Sequence, residues 1–167
     1  MLQVQLLRID SRLLHGQVAT NWVRILKIDR IIVVSDQVAT DAIRKTLIKQ
    51  ASPPGLKTNI VPVERLIRVN HDSRFDGMKV LILVENPQDA LRLVLGGINV
   101  NKINIGSLSF TSSKQMVSDA VSVSKQDIEV FTQIHNQGID LEVQKVSSNP
   151  KKDFWKILKD KHLVSDD

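Results

Sequence analysis

A chain of 167 residues with 42% hydrophobic and 25% charged residues has the length and balance of one globular domain, expected to span residues 1–167. It contains no cysteine, which excludes disulfides, thiolate metal sites and cysteine nucleophiles. A formal net charge of +5 admits an acidic partner, a nucleic acid or an anionic substrate, but tyrosine is absent and aromatic residues make up only 4%, leaving little for base stacking.

Short Val- and Ile-rich runs alternate along the chain with longer amphipathic ones. Residues 4–7 read as a first strand and residues 17–26 as a first helix. A strand at 31–34 precedes a helix over 40–50, with Ala42, Ile43, Leu47 and Ile48 on one apolar stripe. Strands at 59–63 and 79–84 follow, with Pro53-Pro54-Gly55 and residues 72–77 as turns. Asn86 as N-cap and Pro87 at the first helical position open a helix over 87–95, which Gly96-Gly97 closes. Strands at 103–105 and 120–123 lead to a helix over 124–136, with Ser124 as N-cap, Asp127 in capping-box position and Gly138 beyond its end. A strand at 141–146 and a last helix containing 154–158 follow. Lys151, Lys152, Lys156, Lys159 and Lys161, interleaved with Asp153 and Asp160, read as the solvated face of that helix.

This alternation predicts an α/β fold: a single domain with an open, mostly parallel sheet of about seven strands and helices on both faces. No apolar run approaches the roughly 20 residues of a membrane span. The opening Met-Leu-Gln-Val-Gln has neither a basic region nor an apolar signal core, so a cytoplasmic location is expected.

The segment richest in chemistry joins the first strand to the first helix: Arg8-Ile9-Asp10-Ser11-Arg12-Leu13-Leu14-His15-Gly16-Gln17. Ligands of open α/β sheets bind outside the carboxyl ends of the strands, so a first strand-to-helix loop is a site candidate by position. Arg8, Asp10, Arg12 and His15 crowd into eight residues. A neutral imidazole can attack phosphorus near neutral pH, and Arg12 can answer the charge of a phosphorylated ring with a fork of donors. The helix from Gln17 points free N–H groups the same way, and Gly16 places no Cβ in the path of a phosphoryl group. Asp10 could hold Arg12, or accept from the imidazole and fix its tautomer.

The run from Arg8 to Trp22 resembles the signature of IIB components of the mannose/fructose/sorbose family of the phosphoenolpyruvate-dependent sugar phosphotransferase system. There the pattern is Arg-Ile-Asp-Asp/Glu-Arg-Leu-Ile/Val-His-Gly-Gln-Val followed by a tryptophan. The likeness continues through Ile32-Val33-Val34-Ser35-Asp36, Lys102-Ile103-Asn104-Ile105-Gly106 and His135-Asn136-Gln137-Gly138-Ile139-Asp140-Leu141-Glu142, and covers nearly the whole chain. The resemblance implies a sheet of about seven largely parallel strands, with His15 as the phosphorylated residue, modified at Nδ1. It further implies catalytic roles for Arg12 and Asp10 and a phosphate-binding loop at Gly16 and Gln17. A IIA protein would donate the phosphoryl group, and a sugar held by membrane components IIC and IID would receive it. The chain would then lie peripherally on the inner face of the membrane; a homodimer is compatible with this. Two departures stand out: Ser11 replaces an acidic residue, and Gly106-Ser107-Leu108-Ser109-Phe110 stands where the family often has Gly-Gly-Met-His/Arg-Phe.

Asp36, ending the second strand, and Ser109 are candidates for the edge of the site. Trp22 reads as core. His71, His135 and His162 read as a turn residue, a helix C-terminal cation and a tail residue, none at metal-ligand spacing. The sequence has no Gly-x-x-x-x-Gly-Lys-Ser/Thr, Gly-x-Gly-x-x-Gly or Gly-x-Ser-x-Gly, so neither cofactor nor metal is expected. The alternatives are a regulatory phosphohistidine protein without sugar transfer and a basic nucleic-acid-binding module; no nucleic-acid partner is expected.

Overall fold

The computed structural model describes residues 1–165. Its strands are β1 (Gln3–Asp10), β2 (Arg30–Val34), β3 (Lys57–Val61), β4 (Lys79–Val84), β5 (Lys102–Ser107), β6 (Gln115–Met116), β7 (Ser122–Val123), β8 (Asp140–Val143) and β9 (Lys152–Asp153). A π-helical turn at Val18–Trp22 runs into α1 (Val23–Ile25). Then come α2 (Asp36–Ala39), α3 (Ala42–Gln50), α4 (Val63–Asn70), α5 (Pro87–Leu95), α6 (Lys125–Asn136) and α7 (Phe154–Asp160). Seven strands form one sheet in the order β3-β2-β4-β1-β5-β8-β9, parallel throughout except for β9.

The central strands are apolar on both faces, as a parallel sheet between helical layers requires. Leu7, Ile9, Ile32, Val34, Ile82, Val84, Ile103 and Ile105 face a layer containing side chains of α4, α5, α6 and α7. Leu6, Ile31, Val33, Ile60, Leu81 and Leu83 face the opposite layer, with Leu13, Leu14, Val18, Trp22, Val38 and Ile48. Period-2 alternation therefore assigns Arg8 and Asp10 to the face that carries Trp22.

The expected caps are present. Asn86 accepts from the Asp89 N–H at 2.8 Å, and Ser124 and Asp127 bond reciprocally at 3.0 Å each. Gly97 and Gly138 adopt left-handed φ of 102° and 80° beyond α5 and α6. No helix among the described residues is long and apolar enough to cross a membrane.

Four elements differ from the sequence-based expectation. The strand at 120–123 does not enter the main sheet: Ser122–Val123 pairs with Gln115–Met116 in a separate hairpin. The seventh place goes to β9, whose Lys152 and Asp153 pair with Val143 and Glu142. Edge pairing uses backbone groups and tolerates charged side chains, so it leaves no hydrophobic signal. The helix over 40–50 is broken before Ala42, where the Asp41 side chain caps α3 by accepting from the Arg44 N–H. Its stripe is turned outward: Ile43 and Leu47 are 76% and 60% exposed, and only Ile48 is buried. Ile48 is the residue through which α3 joins the core cluster that holds Ile31, Val33 and Ile60. The strand expected through Val63 ends at Val61, and α4 begins after Pro62, with the Asp36 carboxylate accepting from the Val63 N–H. The strand expected through Val146 ends at Val143, beyond which the Gln144 and Lys145 carbonyls turn toward Arg8.

Candidate functional site

β1 and β5 are adjacent, yet the chain leaves β1 toward β2 and leaves β5 toward β8. Their carboxyl ends therefore splay into the crevice where open α/β sheets bind ligands. Two loops meet there, residues 11–17 after β1 and residues 108–114 after β5. The Ser11 N–H donates to the Ser107 carbonyl at 3.1 Å and joins them.

The first loop opens with a tight turn in which the Leu13 N–H donates to the Asp10 carbonyl at 2.9 Å. Leu13 takes a φ of 58°, a left-handed conformation unfavourable to a side chain of its size. Its complete burial among Leu14, Val18, Trp22 and Leu83 holds it there. The turn lifts His15 out of the core beside Asp10.

Asp10 is fully buried and collects donors from every side. Oδ1 accepts from Ser107 Oγ (2.8 Å), the Arg12 N–H (3.0 Å) and Arg12 Nε (3.4 Å). Oδ2 accepts from Arg8 Nη2 and from His15 Nε2, each at 3.3 Å. Burial pushes the carboxyl pKa up. The bonds from His15, the Arg12 backbone and Ser107, with the Arg8 charge, more than reverse this and hold it well below the usual carboxylate range. Of the two roles open to Asp10, bracing Arg12 and accepting from the imidazole, the structure has both.

An ionised carboxylate can only accept, so its bond to His15 places the ring proton on Nε2 and the lone pair on Nδ1. Nδ1 has no hydrogen-bond partner among the described residues, and the side chain is 19% exposed. Arg12 is 51% exposed; only its Nε is engaged, and both Nη groups lack a partner among the described residues. The N–H groups of Gly16, Gln17 and Val18 likewise have no acceptor among the described residues; the first helical bond of the segment is Ala19 N–H to the His15 carbonyl, at 2.9 Å. A Cβ on Gly16 would meet nothing within 4 Å, so packing in this structure does not itself demand glycine there.

Beside the loop lies an open cavity of about 440 Å³, lined by Arg12, Gln17, Ser109, Phe110, Met116 and Lys145 among others. Ser109 Oγ lies 2.8 Å from Ser11 Oγ, which puts both sequence departures in contact. Asp36 does not line this cavity: its carboxylate caps α4 and accepts from Arg92 Nη1 at 2.9 Å. Trp22 is buried core, and its indole N–H donates to the Lys145 carbonyl at 3.2 Å. His71 approaches the Gly96 carbonyl at 3.2 Å, and His135 stacks on Trp155 with ring centroids 3.9 Å apart.

Arg8 has a place that its membership of a charged run did not reveal. It is 1% exposed, and it bonds Asn104 Oδ1 and the Gln144 and Lys145 carbonyls as well as Asp10. The available signal was a cation between Leu7 and Ile9 in the apolar, buried half of its strand.

Fold and site together define a doubly wound α/β protein that presents one histidine, oriented by a buried carboxylate, at the strand carboxyl ends. Residues 4–167 match the family model for the PTS system sorbose subfamily IIB component. The chain belongs to that family of phosphotransferase-system IIB components. It is 47% identical over 148 residues to the mannose-specific EIIAB component of Escherichia coli K12, covering 89% of this chain and 46% of that protein. Thus it spans about half the length of the first curated relatives it matches. It is 43% identical over 151 residues to the sorbose-specific EIIB component of Lacticaseibacillus casei, covering 90% and 92% of the two chains. The IIBSor domain of the sorbose permease from Klebsiella pneumoniae superposes with a TM-score of 0.91 at 36% identity, over 95% of this chain and 97% of that one.

Proposed function

We propose that this chain accepts a phosphoryl group on His15 Nδ1 from a phosphorylated IIA protein and passes it to a sugar held by membrane components IIC and IID. The observation that carries the proposal is the bond from His15 Nε2 to buried Asp10, which leaves the Nδ1 lone pair free. That lone pair attacks phosphorus as the P–N bond to the donor imidazole breaks, and the bonding electrons return to the donor ring. In the second transfer a sugar hydroxyl oxygen attacks, the P–N bond to His15 breaks with its electrons returning to Nδ1, and the hydroxyl proton is released to solvent.

Charge on the equatorial oxygens needs preorganised donors in both steps. The free Nη groups of Arg12 and the unpaired amides of Gly16 and Gln17 supply them, and the hydroxyls of Ser11 and Ser109 border the same space. The chain works in the cytoplasm, docked on IIC and IID at the inner face of the membrane.

The test is to supply phosphorylated IIA and map the label. A single acid-labile, alkali-stable phosphate on His15 is expected, with sugar phosphate formed in membranes carrying IIC and IID. Labelling that persists in His15→Ala would overturn the assignment. Labelling without any sugar phosphate would leave a regulatory phosphohistidine protein.

A further inference from the structure

We infer that Arg8, which touches no reacting atom, is a positioning residue that sets the state of His15 through Asp10. This rests on the function proposed above.

The guanidinium sits in a cradle built from three strands. Nη1 donates to Asn104 Oδ1 on β5 at 2.5 Å and to the Gln144 carbonyl after β8 at 2.8 Å. Nη2 donates to the Lys145 carbonyl at 2.8 Å and to Asp10 Oδ2 at 3.3 Å. The group lies 5.1 Å from the centre of the Trp22 ring. Its space exists because residue 106 is glycine: a Cβ there would fall 2.0 Å from Nη2 and 2.2 Å from Cζ.

Stability alone does not explain this arrangement. Arg8 Nε, Asn104 Nδ2 and Gln144 Oε1 are buried without a partner among the described residues, and a half-satisfied polar network is commonly no better than an apolar one. What the cradle does achieve is at Asp10 Oδ2, the one oxygen that Arg8 shares with His15. A guanidinium keeps its proton at any physiological pH, so beside Oδ2 it adds a fixed positive charge to the bonds from His15, the Arg12 N–H and Ser107 that keep Asp10 ionised and acceptor-only. The imidazole must then present Nε2–H inward and its Nδ1 lone pair outward. The same guanidinium competes with His15 for Oδ2 and fixes where that oxygen lies relative to the ring. An imidazolium would have no lone pair with which to attack.

The competing account is that Arg8 only ties β1, β5 and β8 together, in which case its loss lowers stability and leaves the ring of any folded molecule unchanged. Three variants separate the two: Arg8→Met removes the charge, Arg8→Lys keeps it without the fork, and Gly106→Ala displaces the guanidinium without altering its charge. The readouts are the His15 ring tautomer by ¹⁵N NMR and the rate of His15 phosphorylation by phosphoramidate, a small donor that needs no protein surface. Thermal unfolding identifies the folded samples.

Wild type should show Nε2–H with bare Nδ1. Folded Arg8→Met and Gly106→Ala should show a mixed or charged ring, and Arg8→Met should react about 10²-fold more slowly, the scale of loss from a small misplacement. Arg8→Lys should fall between. Wild-type tautomer and rate in a folded Arg8→Met would overturn the inference. Should Arg8→Met fail to fold, the same result in Gly106→Ala and Arg8→Lys overturns it. A wild type that takes no phosphate at His15 overturns the proposed function instead, and the tautomer readout still decides the role of Arg8.

Discussion

Leu13 combines a left-handed backbone with complete burial. The strain costs about 1–3 kcal/mol, and the packing of the side chain offsets it. Leu13→Ala should lose that packing and keep the strain, for a destabilisation of about 2–5 kcal/mol. Leu13→Gly loses the same packing but releases the backbone, so its denaturation midpoint should exceed that of Leu13→Ala by roughly 1 kcal/mol in stability, the reverse of the usual order. Arg12 and Asp10 separate in a different way. Arg12 is half exposed, so Arg12→Lys should change stability by no more than about 0.5 kcal/mol. Lysine lacks the planar fork, and phosphoryl transfer should slow by about 10²-fold or less. Asp10→Asn leaves the buried Arg8 charge without its counter-charge and should cost about 3–5 kcal/mol. Asp10 titrates below the ordinary value of about 3.9, so its stabilisation is complete above that pH and is lost as the pH falls. Thermal unfolding against pH and single-turnover transfer on both variants check these outcomes. Arg12→Lys with wild-type transfer would remove Arg12 from the catalytic group.

At the scale of elements, α3 shows what periodicity does and does not encode. Ala42, Ile43, Leu47 and Ile48 have helical spacing, and the helix formed, but the stripe faces outward except at Ile48. Spacing specifies a shared face; it does not specify what lies against that face. Ile43→Lys and Leu47→Lys should each shift stability by about 0.5 kcal/mol or less, whereas Ile48→Ala should cost about 2 kcal/mol or more. Equal losses in urea unfolding would mean that the stripe is packed after all. The reverse case is α4, a well-formed helix whose start lay inside an expected strand. Pro62 fits both the end of a strand and the N-cap of a helix, and the Asp36 carboxylate that caps it comes from 27 residues earlier. The same contact explains the position of Asp36: it sits at the carboxyl edge of the sheet as expected, but its two oxygens are given to Val63 and Arg92.

Across the whole molecule, the net charge of +5 is not concentrated at the site as strongly as the loop suggests. Lys145, on the wall of the cavity, is already paired with Asp119 at 2.8 Å, which leaves Arg12 as the exposed cation of the loop. Docking of an acidic donor face should therefore respond moderately to salt. Between about 0.1 M and about 1 M the screening length falls from roughly 10 Å to roughly 3 Å, so transfer at limiting donor concentration should slow while the saturated rate holds. A limiting rate indifferent to salt would show that encounter is not electrostatically steered. By itself the sequence determined the α/β alternation, the capped helices α5 and α6, and the clustering of Asp10, Arg12 and His15 around the carboxyl end of the first strand. All of these follow from residues within a few positions of one another, where periodicity, cap chemistry and motif spacing act. Only the tertiary structure decided that β5 lies against β1, that Ser107 bonds Asp10 across 97 residues of chain, and that glycine at 106 makes room for a buried Arg8. Those contacts depend on which strands pair, and burial patterns alike in every central strand do not record their neighbours.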